Sequence, residues 1–274
     1  PHAHGSSDAL FADGEIDVVY IGSPHSHHSD MTLAALAAGR HVLCEKAFAL
    51  NAAQAREMVA AAGANDRFLM EAMWTWFIPA VVEAKRRVDA GEIGRVLAVH
   101  ADFAIPIHAE DGRHRRPDLG GGALLDLGIY PLSIARFLLG EPDAVHAVGH
   151  LTDAGIDVNL GGVLHFSSGA VATFHTSLDG LGDHRALVVG TEGKLVLEPH
   201  FWHSEAFTIT PAGGETQRVE IHNDGLAHEA AHVMERIRGG HRESDVLPLA
   251  TTLANMELMD EIRRQVGVVY PGQS

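Results

Sequence analysis

The chain is 274 residues long, 46% hydrophobic and 20% charged, enough for one large or two modest globular domains around a sizeable core. Its formal net charge of −16 repels phosphate backbones and anionic lipid, which argues against a nucleic-acid or membrane-surface partner. The lone cysteine, Cys44, excludes an internal disulfide and fits a reducing cytoplasm, and no apolar run reads as a bilayer span or signal peptide.

The chain opens PHAHGSSDALFADGEIDVVYIG. A short helix-like stretch, Ser7–Ala12, leads into a continuous apolar run, Ile16–Gly22, that suits a strand buried on both faces of a parallel sheet. This beginning resembles the middle of a domain. SPHSHHSDMTLAALAAGR follows as a loop and an Ala/Leu-rich helix, with Ser29 or Asp30 as its cap and Gly39 as its end. HVLCEK reads as a second strand. Asn51 caps a helix over AAQAREMVAAAG, and RFLMEA reads as a third strand. This alternation implies right-handed crossovers and a parallel sheet.

After Trp74 the pattern changes. Ile78–Ala90 reads as a helix, Gly91 and Gly94 mark a turn, and Arg95–Pro106 is a long strand. Leu124–Leu139 is helix-like and closed by Gly140 and Pro142. From Ala144 to Ile221 the chain reads as strands joined by turns, SSG being one hairpin signal. Two helices, about Ala227–Arg238 and Leu249–Gln265, complete a mostly antiparallel sheet flanked by helices.

Two stretches carry chemistry. In GGGALLDLGIYP, Asp126 and Tyr130 stand four residues apart, so a helix puts them on one face, and the glycines let backbone approach a ligand. A core tyrosine with a satisfied hydroxyl and a capping or ion-paired aspartate would produce the same pattern. In HEAAH, His228, Glu229 and His232 have the spacing of a zinc hydrolase helix, with Glu257 as a conceivable third ligand. The other reading is an amphipathic helix, in a chain whose twenty histidines make such a match easy to meet by chance. His25, His27 and His28 form a further histidine group, without a paired acid or cysteine nearby.

At HVLCEKAFALNAAQA the chain resembles the Gfo/Idh/MocA oxidoreductases, whose first domain carries a Glu-Lys-Pro tripeptide at a strand end; here it is Glu45-Lys46-Ala47. VVYIGSPHSHH, LMEAMWTWF, GGGALLDLGIYP and the tail GLAHEAAHVMERIRGG extend the likeness in order over nearly the whole chain, most closely to the dihydrodiol and xylose dehydrogenase-like branch. The resemblance implies an α/β part followed by an α+β part. The first, residues 1–73, is an incomplete Rossmann-type parallel sheet. The second, 74–274, is an open-faced, mostly antiparallel sheet that binds substrate and forms a homodimer. It implies hydride transfer between NAD or NADP and a hydroxyl-bearing carbon of a sugar, polyol or dihydrodiol. Tyr130 is then the general acid/base, and Lys46 is the ammonium that favours its phenolate. Asp126 orients Lys46 or a substrate hydroxyl. Pro24, His25, Glu45 and Lys46 border the nicotinamide at the carboxyl ends of the strands. Trp74 and Phe103 resemble substrate-pocket residues, and Trp202 is a further wall candidate with no motif behind it. No metal is implied.

Three departures set further expectations. The G-x-G-x-x-G turn and the first two βα units, roughly 60 residues, do not occur in this sequence. The cofactor is therefore expected to bind weakly, the first strand to show an apolar edge, and a catalytically silent, dimerising or sugar-binding remnant stands as an alternative. Ala47 replaces the family's proline, which predicts a looser strand-end turn. Trp76 replaces an arginine common in relatives, which predicts altered substrate contacts.

Overall fold

A computed structural model of the chain describes residues 2–109 and 112–272. Three short strands, β1 (Val18–Ile21), β2 (His41–Glu45) and β3 (Leu69–Ala72), form a parallel sheet in the order β1-β2-β3, with Val19 opposite Val42 and Val42 opposite Leu69. The runs of β2 and β3 are buried on both faces, but β1 corrects the sequence reading: it buries Val19 and Ile21 on one face and leaves Tyr20 exposed on the other, because it lies at the edge. Helices α1 (Ser7–Ala12), α2 (His25–Ala37) and α3 (Ala52–Ala64) alternate with them. Among the described residues β1 is an edge strand, and Tyr20 on it is half exposed.

Asn51 caps α3 as its side chain accepts the Gln54 N–H at 2.8 Å. The start of α2 corrects the sequence reading. The helix begins at His25, directly after Pro24, whose φ of −58° already suits the entry, so Ser29 and Asp30 lie inside it rather than capping it. Its end is as read: Gly39 takes φ 77°, and the Arg40 N–H returns to the Ala35 carbonyl at 3.0 Å.

The second sheet has eight strands in the order β11-β10-β9-β8-β4-β7-β6-β5. They are β4 (Val96–Ala104), β5 (Ala144–Leu151), β6 (Asp157–His165), β7 (Val171–Ser177), β8 (Ala186–Gly190), β9 (Gly193–Leu197), β10 (Ala206–Pro211) and β11 (Gln217–Glu220). Neighbours run antiparallel except β4 and β7, which run parallel. Helix α4 (Pro79–Asp89) precedes β4, and α5 (Ile129–Leu139) packs against β4 and β7. Alternation sorts the faces: Val99, Ala101 and Phe103 point inward, while His100 is exposed on the other side.

Two closing helices return to the first sheet. Val233 of α6 (Ala227–Arg238) packs with Leu43, Phe68 and Met70. Helix α7 (Leu249–Val266) packs on α3, where Asp260 accepts the Ala52 N–H at 2.9 Å and Arg263 donates to the Leu50 carbonyl at 2.6 Å. The helical stretch Pro117–Leu139 corrects a second expectation. It is long and apolar enough to cross a membrane by composition, but 89% of its apolar window is buried inside the fold, where it serves as a core helix.

Candidate active site

The site forms where the carboxyl ends of β1 and β2 meet the glycine-led segment of the second part. Tyr20, Pro24, His25, Glu45, Lys46, Arg113 and Asp126 line a cleft of about 390 Å³ there. Helical structure after the glycines starts with a single π-helical turn, Leu124–Gly128, before α5 proper. Such turns often mark functional sites. Here it carries Asp126, while the first turn of α5 carries Tyr130.

Lys46 is the hub. Its ammonium donates to the Asp126 carbonyl at 2.7 Å and lies 3.1 Å from Asp126 Oδ1. It also sits over the Tyr130 ring, 4.9 Å from the centroid. Burial works against the Lys46 charge, but Tyr130, Asp126 and Glu45 outweigh it and raise its pKa. Asp126 is also met by Arg113 at 3.1 Å and His114 at 2.9 Å. Burial opposes its charge too, yet Lys46, His114 and Arg113 hold its carboxyl well below the usual range. The result is a buried, fully charged pair with additional donors, the arrangement in which such a pair is sustainable.

Tyr130 corrects the expectation that Lys46 lowers its pKa outright. Burial raises it, and the opposing pull of Lys46 and of the Trp74 indole does not overcome that. The phenol therefore keeps its proton at neutral pH. Trp74 Nε1 donates to the Tyr130 hydroxyl at 3.0 Å, which leaves the phenolic proton available for another oxygen. Phe103 lies 5.3 Å from the Tyr130 ring and stacks face to face on Trp202 at 3.6 Å. Trp74 in turn stacks on His203 at 5.7 Å. Trp76 points elsewhere: its indole donates to Ser133 at 2.7 Å and its ring packs on Phe137. It is packed as a core residue.

Where relatives have a proline, the Glu45-Lys46-Ala47 turn is bounded by hydrogen bonds to neighbouring elements. Glu71 of β3 accepts the Phe48 N–H at 3.1 Å, and His28 Nδ1 lies 2.9 Å from the Ala47 carbonyl. Glu45 accepts from Tyr20 through one oxygen and from the Lys46 N–H at 3.2 Å through the other. His25 bridges to the second part, with Nδ1 3.0 Å from the Gly120 carbonyl; burial and Lys46 push its pKa down to about 3, so it is neutral. Gly120 is needed there, since a Cβ would stand 2.5 Å from Leu50 and 2.9 Å from the His25 side chain. His25 and His28 are thus occupied with backbone carbonyls, and His27 is exposed.

The H-E-x-x-H stretch resolves as packing. His228 Nε2 accepts the Asp224 N–H at 3.1 Å, His232 Nε2 meets Ser244 at 2.7 Å, and Glu257 pairs with Arg56 at 2.7 Å. Among the described residues no group of three His, Cys, Asp or Glu side chains could hold a metal ion. Glu229 is buried, and burial pushes its carboxyl up to about 8, with Glu45 and Glu71 adding to the effect. Glu71 rises to about 7 for the same first reason. Carboxyls raised in the fold bind more protons folded than unfolded, between about pH 4 and their folded pKa. Stability is therefore expected to fall as pH climbs from about 5 to about 8.5. Glu229→Gln should flatten that slope in thermal melts; an unchanged slope would remove Glu229 as a cause.

Sequence reasoning missed Arg113 and His114, although the run Arg113–Arg116 stands out in an acidic chain just before the glycines. It also missed Glu71 and Tyr20, whose partners are distant in sequence.

The chain is similar to known proteins along most of its length. Residues 2–73 match the family model described as oxidoreductase family, NAD-binding Rossmann fold, and residues 81–196 match the GFO/IDH/MocA C-terminal domain. A trans-1,2-dihydrobenzene-1,2-diol dehydrogenase of Danio rerio is 36% identical over 285 residues, covering 100% of this chain and 84% of its own length. A D-xylose 1-dehydrogenase (NADP(+)) of Hypocrea jecorina is 36% identical over 302 residues, covering 98% and 77%. The crystal structure of an aldose-aldose oxidoreductase from Caulobacter crescentus, complexed with glycerol, superposes with a TM-score of 0.86 at 28% identity, over 95% of this chain and 80% of that one. A levoglucosan dehydrogenase in complex with NADH and levoglucosan shares the fold, with a TM-score of 0.85 at 22% identity over 96% and 81%.

Proposed function

Since this chain belongs to the GFO/IDH/MocA oxidoreductase family and carries its NAD-binding Rossmann fold, we propose that it catalyses hydride transfer at a hydroxyl-bearing carbon of a sugar, polyol or dihydrodiol, with Tyr130 as the proton donor and acceptor. The observation that carries this reading is the convergence of Asp126 and the buried Tyr130 ring on Lys46, which lines the cleft.

The residues present fit the nicotinamide half of the cofactor. A cleft at the carboxyl ends of parallel strands, bordered by Pro24, His25, Glu45 and Lys46, is the usual place for such a ligand. When bound, the nicotinamide accepts or supplies the hydride. The protein manages the oxygen. In the reductive direction, Tyr130 Oη gives its proton to the carbonyl oxygen as that becomes an alkoxide. The Lys46 ammonium and the Trp74 N–H then stabilise the phenolate left behind. In the oxidative direction the phenolate takes the hydroxyl proton. Asp126 keeps Lys46 charged and in place, and Trp74, Phe103 and Trp202 supply aromatic surface for an apolar ring face.

The same proposal divides the chain at residues 73 and 74 into a cofactor-binding part and a substrate-binding part. It includes a homodimer through the outer face of the eight-stranded sheet, where His100, Thr173 and His175 border an open hollow of about 510 Å³ and Val148 is 78% exposed. Sedimentation at two concentrations tests the dimer; a concentration-independent monomer would refute it. A cytoplasmic location belongs to the proposal as well, on the strength of the buried free thiol of Cys44; fractionation of the producing cells checks it.

NADPH fluorescence titration, followed by turnover with D-xylose and with trans-1,2-dihydrobenzene-1,2-diol as probes, tests the function. Saturable binding and a rate with at least one probe are expected. Unchanged fluorescence at millimolar protein and cofactor would refute the proposal.

A further inference from the structure

Asp157 belongs to none of the groups described so far. It opens β6, is fully buried, and lies 33 residues from the segment it touches. Its Oδ2 accepts the N–H of Leu124, the first residue of the π-helical turn, at 2.6 Å. A helical start leaves backbone N–H groups without partners, and a carboxylate there both satisfies a donor and complements the dipole. No side chain of the segment itself performs that role, since Ala123 precedes the turn and makes no side-chain cap.

Gly122 explains how a carboxylate from another element gets so close. A Cβ at Gly122 would stand 2.0 Å from Asp157 Oδ1, and the residue has φ 128°. The third glycine of the run therefore leaves room for Asp157. Oδ1 itself is buried without a hydrogen bond among the described residues. Arg263 of α7 is the charge that faces this carboxyl, which in turn faces the buried hydroxyl of Tyr270, itself also met by Asp260.

We infer that Asp157 is a positioning residue for the site: by fixing the start of the π-helical turn it sets where Asp126 and Tyr130 stand relative to Lys46. The inference rests on the reading of Tyr130 and Lys46 given above. It differs from mere stabilisation in where its loss should be felt. Two indoles report on α5 at neighbouring points: Trp74 donates to Tyr130 and Trp76 to Ser133, three residues further on. Both N–H resonances are resolvable by NMR and assignable by single Trp→Phe replacements.

In Asp157→Ala the Trp74 indole resonance is expected to move while that of Trp76 stays in place. Asp157→Asn keeps an acceptor of the same shape, so it should leave Trp74 near its wild-type position. Burial raises the Asp157 carboxyl to about 7, so measured well above that pH the Asn variant should still speed amide exchange at Leu124 about tenfold, because a charge-assisted bond becomes a neutral one. If Asp157→Ala does not fold, the Asn variant decides the matter. An unmoved Trp74 in folded Asp157→Ala, equal movement of both indoles, or unchanged Leu124 exchange in Asp157→Asn would overturn the inference. Neither readout needs turnover, so a wrong substrate class would leave this result standing.

Discussion

Tyr130→Phe is expected to lower kcat about 10²–10⁴-fold, the usual contribution of a positioned proton donor. The removed atom is the only one altered: the ring keeps its place between Lys46 and Phe103. Binding of NADPH, measured by fluorescence, should change little, because Tyr130 is not among the residues bordering the cleft at the strand ends. The argument turns on where the phenolic proton is. Burial raises the Tyr130 pKa, so the group is a proton donor at neutral pH, and the hydroxyl already accepts from Trp74. A proton so placed has one useful destination, an oxygen entering the site. Wild-type turnover in the phenylalanine variant would take Tyr130 out of the chemistry.

Asp126→Ala is expected to lose about 3–5 kcal/mol of stability, the cost of leaving one member of a buried ion pair uncompensated. Lys46 would keep its burial and lose its carboxylate, and Arg113 and His114 would lose the same partner. Urea unfolding measures the loss. The double change Lys46→Met with Asp126→Leu removes both charges together and should recover part of that stability, without activity. A loss below about 1 kcal/mol in Asp126→Ala would show that the pair behaves like a surface salt bridge.

The first three strands and the helices between them were legible because each signal is local. Apolar runs end at turn residues, and Asn51 stands one place before its helix. The start of α2 was misread for a local reason as well: Ser29 and Asp30 are good capping types, but Pro24 had already set the backbone into the helix. Lys46, Asp126 and Tyr130 came from motif and spacing, and the fold does bring them together. What the sequence could not disclose was long-range. The partners of Asp126 on the Arg113–His114 loop, the Glu71 contact under the Lys46 turn, and the Asp157 contact at Leu124 each join segments with no shared pattern. The net direction of the Tyr130 shift was equally hidden, since it depends on how deeply the ring is buried.

A structure of the chain with NADP bound tests the central claim most directly. The nicotinamide ring is expected in the cleft bordered by Pro24, His25, Glu45 and Lys46, with the Lys46 ammonium and the Tyr130 hydroxyl on its open side. A nicotinamide bound on any other surface, or a bound state in which Lys46 and Tyr130 separate, would contradict the account.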